Sequence, residues 1–268
     1  MTDGNALRGI MLAIIKQRNL AMNNIENGYV FPTNGGCKAK VINYTNSKNV
    51  LIEFQDKHKY QTVTTKTHIK SGSVKNPYQP SVAGMGYVGV GRHVASVGTK
   101  STPEYMLWKQ MIYRCYDRSQ QERQPTYKGC TVCDEWLNFQ NFAEWLSAQS
   151  NYKDGYELDK DLVLKGNKQY SPKACRFIPK KLNVILNNCE ASRGQHPLGV
   201  CFNKNENRFA AAIRIDGKKK GLGYFDTASE AYEVYVDAKE SYVKSEAQRF
   251  KGDIDDDVFN ALMSWKVG

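Results

Sequence analysis

The sequence predicts an α+β chain made of several small domains. Three observations predict it. Short alternating runs of the strand type cluster in residues 29–70 and again in 197–225. Apolar positions at helical spacing mark residues 7–25, 102–116, 136–146 and 228–242. The charge is uneven, with a net +9 over residues 1–100, +2 over 101–190, +3 over 191–251 and −3 over 252–268. These features divide the chain into an N-terminal helix (1–27), a small β-barrel-like domain (28–80) and a Gly-rich linker (81–101). A central strand–turn–helix domain (102–192) follows. A three-stranded antiparallel sheet with one helix (193–251) and an acidic tail with a short helix (252–268) complete the organisation.

The first helix rests on Leu7, Ile10, Met11, Ile14 and Ile15, with Gly28 as its stop. In the barrel-like region, 38–44 and 49–54 flank a polar turn at 45–48, and 60–65 alternates as a third strand. Lys and Thr dominate its polar positions. This fits either a solvated positioning module or contact with a nucleic-acid backbone. Residues 84–91 (GMGYVGVG) have linker composition. A phosphate loop is the weaker reading, because no Lys-Ser/Thr pair follows.

Ser101-Thr-Pro-Glu104 reads as a helix start, with Ser101 as cap and Glu104 completing a capping box. Leu107, Trp108, Met111, Ile112 and Cys115 continue that helix, and Trp136, Phe139, Phe142 and Trp145 mark an aromatic core helix. Cys130-Thr-Val-Cys133 has zinc-knuckle spacing, but a structural zinc needs four ligands, so two buried thiols are the competing reading. Tyr156–Leu164 reads as a strand, Lys165-Gly-Asn167 as a turn, and Ser171 as the cap of a helix running from Lys173 to Asn187.

The 268 residues carry a net charge of +11 and a sequence pI of about 9.2. Such a balance favours a polyanionic partner, either nucleic acid or an anionic membrane. No run of 18 apolar residues exists, so no transmembrane helix is expected. The segment Ile10–Ile15 is too short for a signal peptide and lacks a cleavage site. Seven cysteines, an odd number without a secretory signal, point to free thiols in a reducing, cytoplasmic setting.

Residues 197–251 carry the sharpest pattern. Strands at 198–202, 208–215 and 218–225 are joined by a tight Asp216-Gly217 hairpin. Thr227 caps a helix with Glu230 in capping-box position, and Ala231, Val234, Tyr235, Ala238 and Tyr242 give that helix one apolar stripe. One sheet face can then bury against the helix. The expected duplex-DNA contacts are Arg208, Arg214, Lys218, Lys219, Lys220, Tyr224 and Lys204, with arginine forks suited to guanine edges and lysines to phosphates.

The string LGVCFNKNENRFAAAIRIDGKKKGLGYFDTASEAYEVYVDAK resembles the DNA-binding domain of plant ethylene-response transcription factors. The matching pieces are Gly199-Val200, Arg208 to Ala211, Ile213, Leu222 to Thr227 and Glu230-Ala231. That likeness implies a sheet lying in the major groove and carries Arg208, Arg214 and Lys220 over as contact residues. Phe209 and Tyr224 stand where the family has tryptophans, so base preference does not carry over.

The segment YELDKDLVLKGNKQYSPKACRF resembles a divergent HNH endonuclease motif of phage and mobile-element homing endonucleases. The likeness implies a ββα site in which a histidine activates water and Mg2+ or Mn2+ is held by an aspartate and an asparagine. Asp159 matches the aspartate and Asn167 the turn asparagine, which makes these two the metal-ligand candidates. Lys160 stands in place of the histidine and Ala174 in place of the helix asparagine. Asp159, Lys160, Asp161 and Asn167 are the catalytic candidates of a degenerate site. The implied function is sequence-specific duplex binding by occupancy, as in a transcriptional repressor descended from a homing endonuclease. An active metal-dependent nuclease is the alternative.

Overall fold

A computed structural model describes residues 25–187 and 195–267. The expected first helix and Cys189 lie outside the described residues, save for the last positions of 1–27. The chain is of mixed α+β type, as expected. It divides into two compact units, 1–117 with 134–142, and 118–133 with 143–268. This division cuts across the sequence-derived central segment 102–192.

In the first unit, β1 (Val30–Pro32), β2 (Lys38–Asn46), β3 (Asn49–Phe54) and β4 (Gln61–Thr64) form an antiparallel meander in chain order. Period-2 alternation buries Ala39, Val41, Val50, Ile52 and Phe54 with Phe31 and Ile69, and leaves Lys38 and Lys40 outside. No pairing joins β1 to β4 among the described residues, so the expected barrel is an open sheet. A short helix, α1 (Lys66–Ser71), starts where the Thr65 side chain accepts from the His68 amide and ends at left-handed Gly72.

The Gly-rich stretch 81–101 is not a free linker. It contains a small hairpin, β5 (Ser96–Val97) with β6 (Lys100–Ser101), and its backbone is tied to residues 134–142. The Tyr87 amide donates to the Leu137 carbonyl, and the Phe139 amide donates to that of Tyr87. The Gln140 side chain donates to the Val88 and His93 carbonyls and accepts from the His93 amide. The glycines serve close packing. A Cβ at Gly86 would lie 2.8 Å from the Trp108 ring.

Helix α2 (Pro103–Tyr116) is capped by Thr102, whose hydroxyl accepts from the Tyr105 amide. The expected Ser101 cap is therefore displaced by one residue to Thr102, because Ser101 is taken up in β6, and Tyr105 rather than Glu104 then stands at the position that would close a capping box. Trp108, Met111, Ile112 and Cys115 are buried on one side, and Trp108 Nε1 donates to the Trp136 carbonyl at 2.7 Å. Two further helices are α3 (Arg118–Arg123) and α4 (Phe139–Ser147), and Trp136, Phe139 and Phe142 are all core residues as their spacing predicts.

In the second unit, β7 (Thr131–Val132) runs parallel to β9 (Gln169–Tyr170). Strand β8 (Tyr156–Asp159) pairs antiparallel with β10 (Arg176–Pro179), and α5 (Lys180–Leu186) follows directly. The expected strand to Leu164 therefore stops at Asp159, and the expected helix from Lys173 begins only at Lys180. Pro179 explains the second correction. It disfavours helical backbone at Ile178 and would interrupt a helix placed across it. The result is nevertheless a strand, a strand and a helix in sequence.

The C-terminal sheet has the order β11 (Val200–Asn203), β12 (Arg208–Ile215), β13 (Lys218–Phe225), all antiparallel. Asp216 and Gly217 both have positive φ, 49° and 78°, as the hairpin turn demands. Helix α6 (Ala228–Arg249) begins with the expected Thr227–Glu230 capping box. Ala231, Tyr235 and Tyr242 are buried along it, and the two tyrosines pack with Ile213, Ile215, Leu198 and Leu222. A Cβ at Gly199 would fall 2.0 Å from the Tyr235 ring, and Gly199 also has φ +77°, so this position requires glycine twice over.

The acidic tail forms α7 (Asp256–Met263). Its Val258 and Leu262 join Ile254, Val243, Ala247, Ile178 and Leu182 in one buried cluster. The tail's carboxylates meet cations of the same unit. Asp257 accepts from Arg176 Nε and Nη2 at 2.9 and 2.7 Å, and Asp253 pairs with Lys153 at 2.6 Å.

Candidate nucleic-acid interface

The register of β11–β13 decides which side chains share the face opposite α6. Ala211 and Ile213 point into the packed side, so Arg208, Ala210, Ala212 and Arg214 point outward. Cross-strand pairing sets Cys201, Ala210 and Tyr224 in one row, Ala212 beside Gly221, and Arg214 beside Lys219. At the other end, Asn203 pairs with Arg208. The face is thus low in the middle, where alanine and glycine sit, and cationic at both ends. Tyr224 is 49% exposed, and Lys204 is exposed in the β11–β12 turn.

The three lysines of β13 do not act as a set. Lys218 pairs with Ile215 and Lys220 with Ile213, so both leave the edge strand on the helix side. Only Lys219 shares the face of Arg214. Alternation therefore divides the three lysines expected as DNA contacts between the two faces. A bulge between Ala211 and Ala212, where Leu222 is the extra residue of β13, shifts parity along this strand.

Both arginines are held. Arg208 Nε donates to Asp226 Oδ1 at 2.9 Å, and Arg214 Nη1 donates to the Gly217 carbonyl at 2.9 Å. Behind the hairpin, Lys181 bridges Asp216 at 2.6 Å and the buried carboxylate of Glu246 at 2.7 Å, which ties the turn to α5 and α6. The hydrogen bond from Lys181 holds the Asp216 carboxyl below its ordinary value of 3.8.

The strand–strand–helix element carries the other candidates. Asp159 Oδ1 accepts from the Asp161 and Leu162 amides at 3.0 and 2.7 Å, so it caps the turn that follows β8. Burial, reinforced by the charge of Asp161, lifts its pKa above 3.8 against those two bonds. Lys160 pairs with Asp161 at 2.8 Å and lies over the Tyr170 ring. Burial pulls the Lys160 pKa down, yet the Asp161 hydrogen bond and charge outweigh it and the net shift is upward. Asn167 spends its amide on the Lys160 and Gln169 carbonyls at 2.7 and 2.8 Å. Cys175, just ahead of β10, is buried with its thiol pushed up to about 12 by desolvation.

These four residues are brought together, but their polar groups close a loop. Lys160 is held as an ammonium, the wrong form for a general base. Among the described residues, no group of three or more His, Cys, Asp or Glu is placed to hold a metal. Asp159 Oδ1 accepts from two backbone amides and the Asn167 amide donates to two carbonyls, so both side chains hold the turn. None of the six described cysteines is in a disulfide; Cys130 and Cys175 are among the buried ones, and Cys201 is exposed. No described helix is long and apolar enough to cross a membrane.

No protein-family model, curated protein or solved structure matches the chain. The site therefore rests on its own geometry. Sequence reasoning missed Asp226 and Cys201 on the outer face. Strand alternation places Cys201 beside Ala210, whereas Asp226 lies one residue past the end of β13.

Proposed function

We propose that this chain binds double-stranded DNA through the outer face of β11–β13 and acts by occupying its site, in the manner of a transcriptional repressor. The observation that carries the reading is the Arg214–Lys219 pair beside the low Ala212–Gly221 floor, on a face with no helix over it among the described residues. A two- or three-stranded ribbon fits the major groove, and small central residues let the backbone approach base edges. The loop-closing use of Asp159, Lys160 and Asn167 supports binding without efficient cleavage. The resemblance to the ethylene-response DNA-binding domain points the same way.

Selection of bound sites from randomised duplexes, followed by titration of the selected site, tests this. The expected result is a selected sequence bound at least about 10³-fold more tightly than random duplex at physiological salt. The competing nuclease reading draws on the strand–strand–helix order that carries Asp159. Incubating a plasmid bearing the selected site with Mg2+ or Mn2+ separates the two. Nicking that vanishes in Asp159→Ala would overturn the occupancy reading.

A further inference from the structure

We infer that Asp226 is a positioning residue for base reading, which holds Arg208 so that its terminal guanidinium edge faces the groove. This rests on the duplex-binding reading above. Asp226 follows Phe225, which pairs with Phe209, so Asp226 and Tyr224 project to the same outer face as Arg208. Its carboxylate takes the Nε hydrogen of Arg208 at 2.9 Å.

That single contact has a geometric consequence. A guanidinium offers two forks, one from Nε and Nη2 and one from Nη1 and Nη2. With Nε occupied, Arg208 presents the terminal fork, which matches the O6 and N7 acceptors of guanine. Arg214 is held the other way, through Nη1 to the Gly217 carbonyl, and presents its Nε side. The two arginines of β12 therefore offer different forks at opposite ends of one face.

An exposed ion pair does little for stability. Asp226 is 80% exposed at its side chain, yet it places a negative charge beside a DNA-facing surface. That charge repels phosphate and lowers affinity for every sequence. It is useful only if it orders Arg208 for a specific contact. Asp226 also lies just ahead of Thr227, but the cap of α6 is made by Thr227 and Glu230 themselves.

The test compares the full chain with Asp226→Asn, Asp226→Glu and Arg208→Lys. Each is titrated against the selected site, its single base-pair variants and a random duplex. Asp226→Asn should lose about tenfold discrimination at one base-pair position, within the range of a single bidentate contact. Its affinity for random duplex should hold or rise. Arg208→Lys should lose discrimination at the same position, and Asp226→Glu should retain it.

Unchanged selectivity in Asp226→Asn overturns the inference. So does a loss at a position different from that of Arg208→Lys, or a parallel fall in specific and random affinity, which marks structural damage. If the wild-type chain binds all duplexes equally, the inference fails while duplex binding stands. If it binds no duplex at all, the functional reading itself fails, and the inference with it.

Discussion

At the scale of single residues, the account separates side chains that meet a ligand from those that hold the fold. On the proposed reading, Arg214 belongs to the first kind. Replacing it with alanine should cost about 1–3 kcal/mol in specific binding, read by titration at fixed salt. Asp159 belongs to the second. Its folded pKa lies above the unfolded value, so its charge is disfavoured in the fold. The sign follows from proton linkage: the folded state binds more protons between the two pKa values, and stability falls as pH rises through that interval. Asp159→Asn keeps an acceptor for the two turn amides and removes the charge. The variant should therefore match the wild type near pH 4 and exceed it at pH 7 in thermal melts. Asp216 behaves oppositely, since its pKa is lowered and its contribution fades as pH falls below the ordinary carboxylate value. Gly199→Ala should destabilise by roughly 1–3 kcal/mol in urea unfolding, because the added methyl meets the Tyr235 ring.

At the scale of elements, the legible parts of the sequence were those with a local cause. The Asp216-Gly217 turn, the Thr227–Glu230 cap and the apolar stripe of α6 each depend on neighbours within a few positions, and each stands in the fold. The parts that were not legible depend on distant pairing. Ser101 looked like a cap until β6 claimed it, and the glycines of 84–91 looked loose although Trp108, Asn138 and Gln140 crowd against them. Lys218, Lys219 and Lys220 looked like one patch because a run of lysines hides strand alternation. Of the site, Arg214, Lys219 and Tyr224 were readable from type and strand membership. Asp226 was not, since it lies one residue past the end of β13 and its role follows from the contact with Arg208. The tail gives an element-scale test. Leu262→Ala should cost the fold about 2–5 kcal/mol, because Leu262 is fully buried beside Leu182 and Val243, with the loss read by denaturation.

At the scale of the whole molecule, the charge of +11 draws the chain to polyanions but does not say where contact is made. The densest positive balance lies in the first 100 residues, whereas the face argued to read DNA lies in β11–β13. On the proposed reading, general attraction and specific reading are carried by different stretches of chain. The exposed thiol of Cys201 lies on that face, in the row of Ala210 and Tyr224. It serves as a native reporter. The decisive measurement is the rate of maleimide labelling of Cys201, followed by mass spectrometry, as selected duplex is titrated in. The account predicts that labelling slows in step with binding and nearly stops at saturation. A Cys201 that reacts at an undiminished rate in saturating duplex would contradict it.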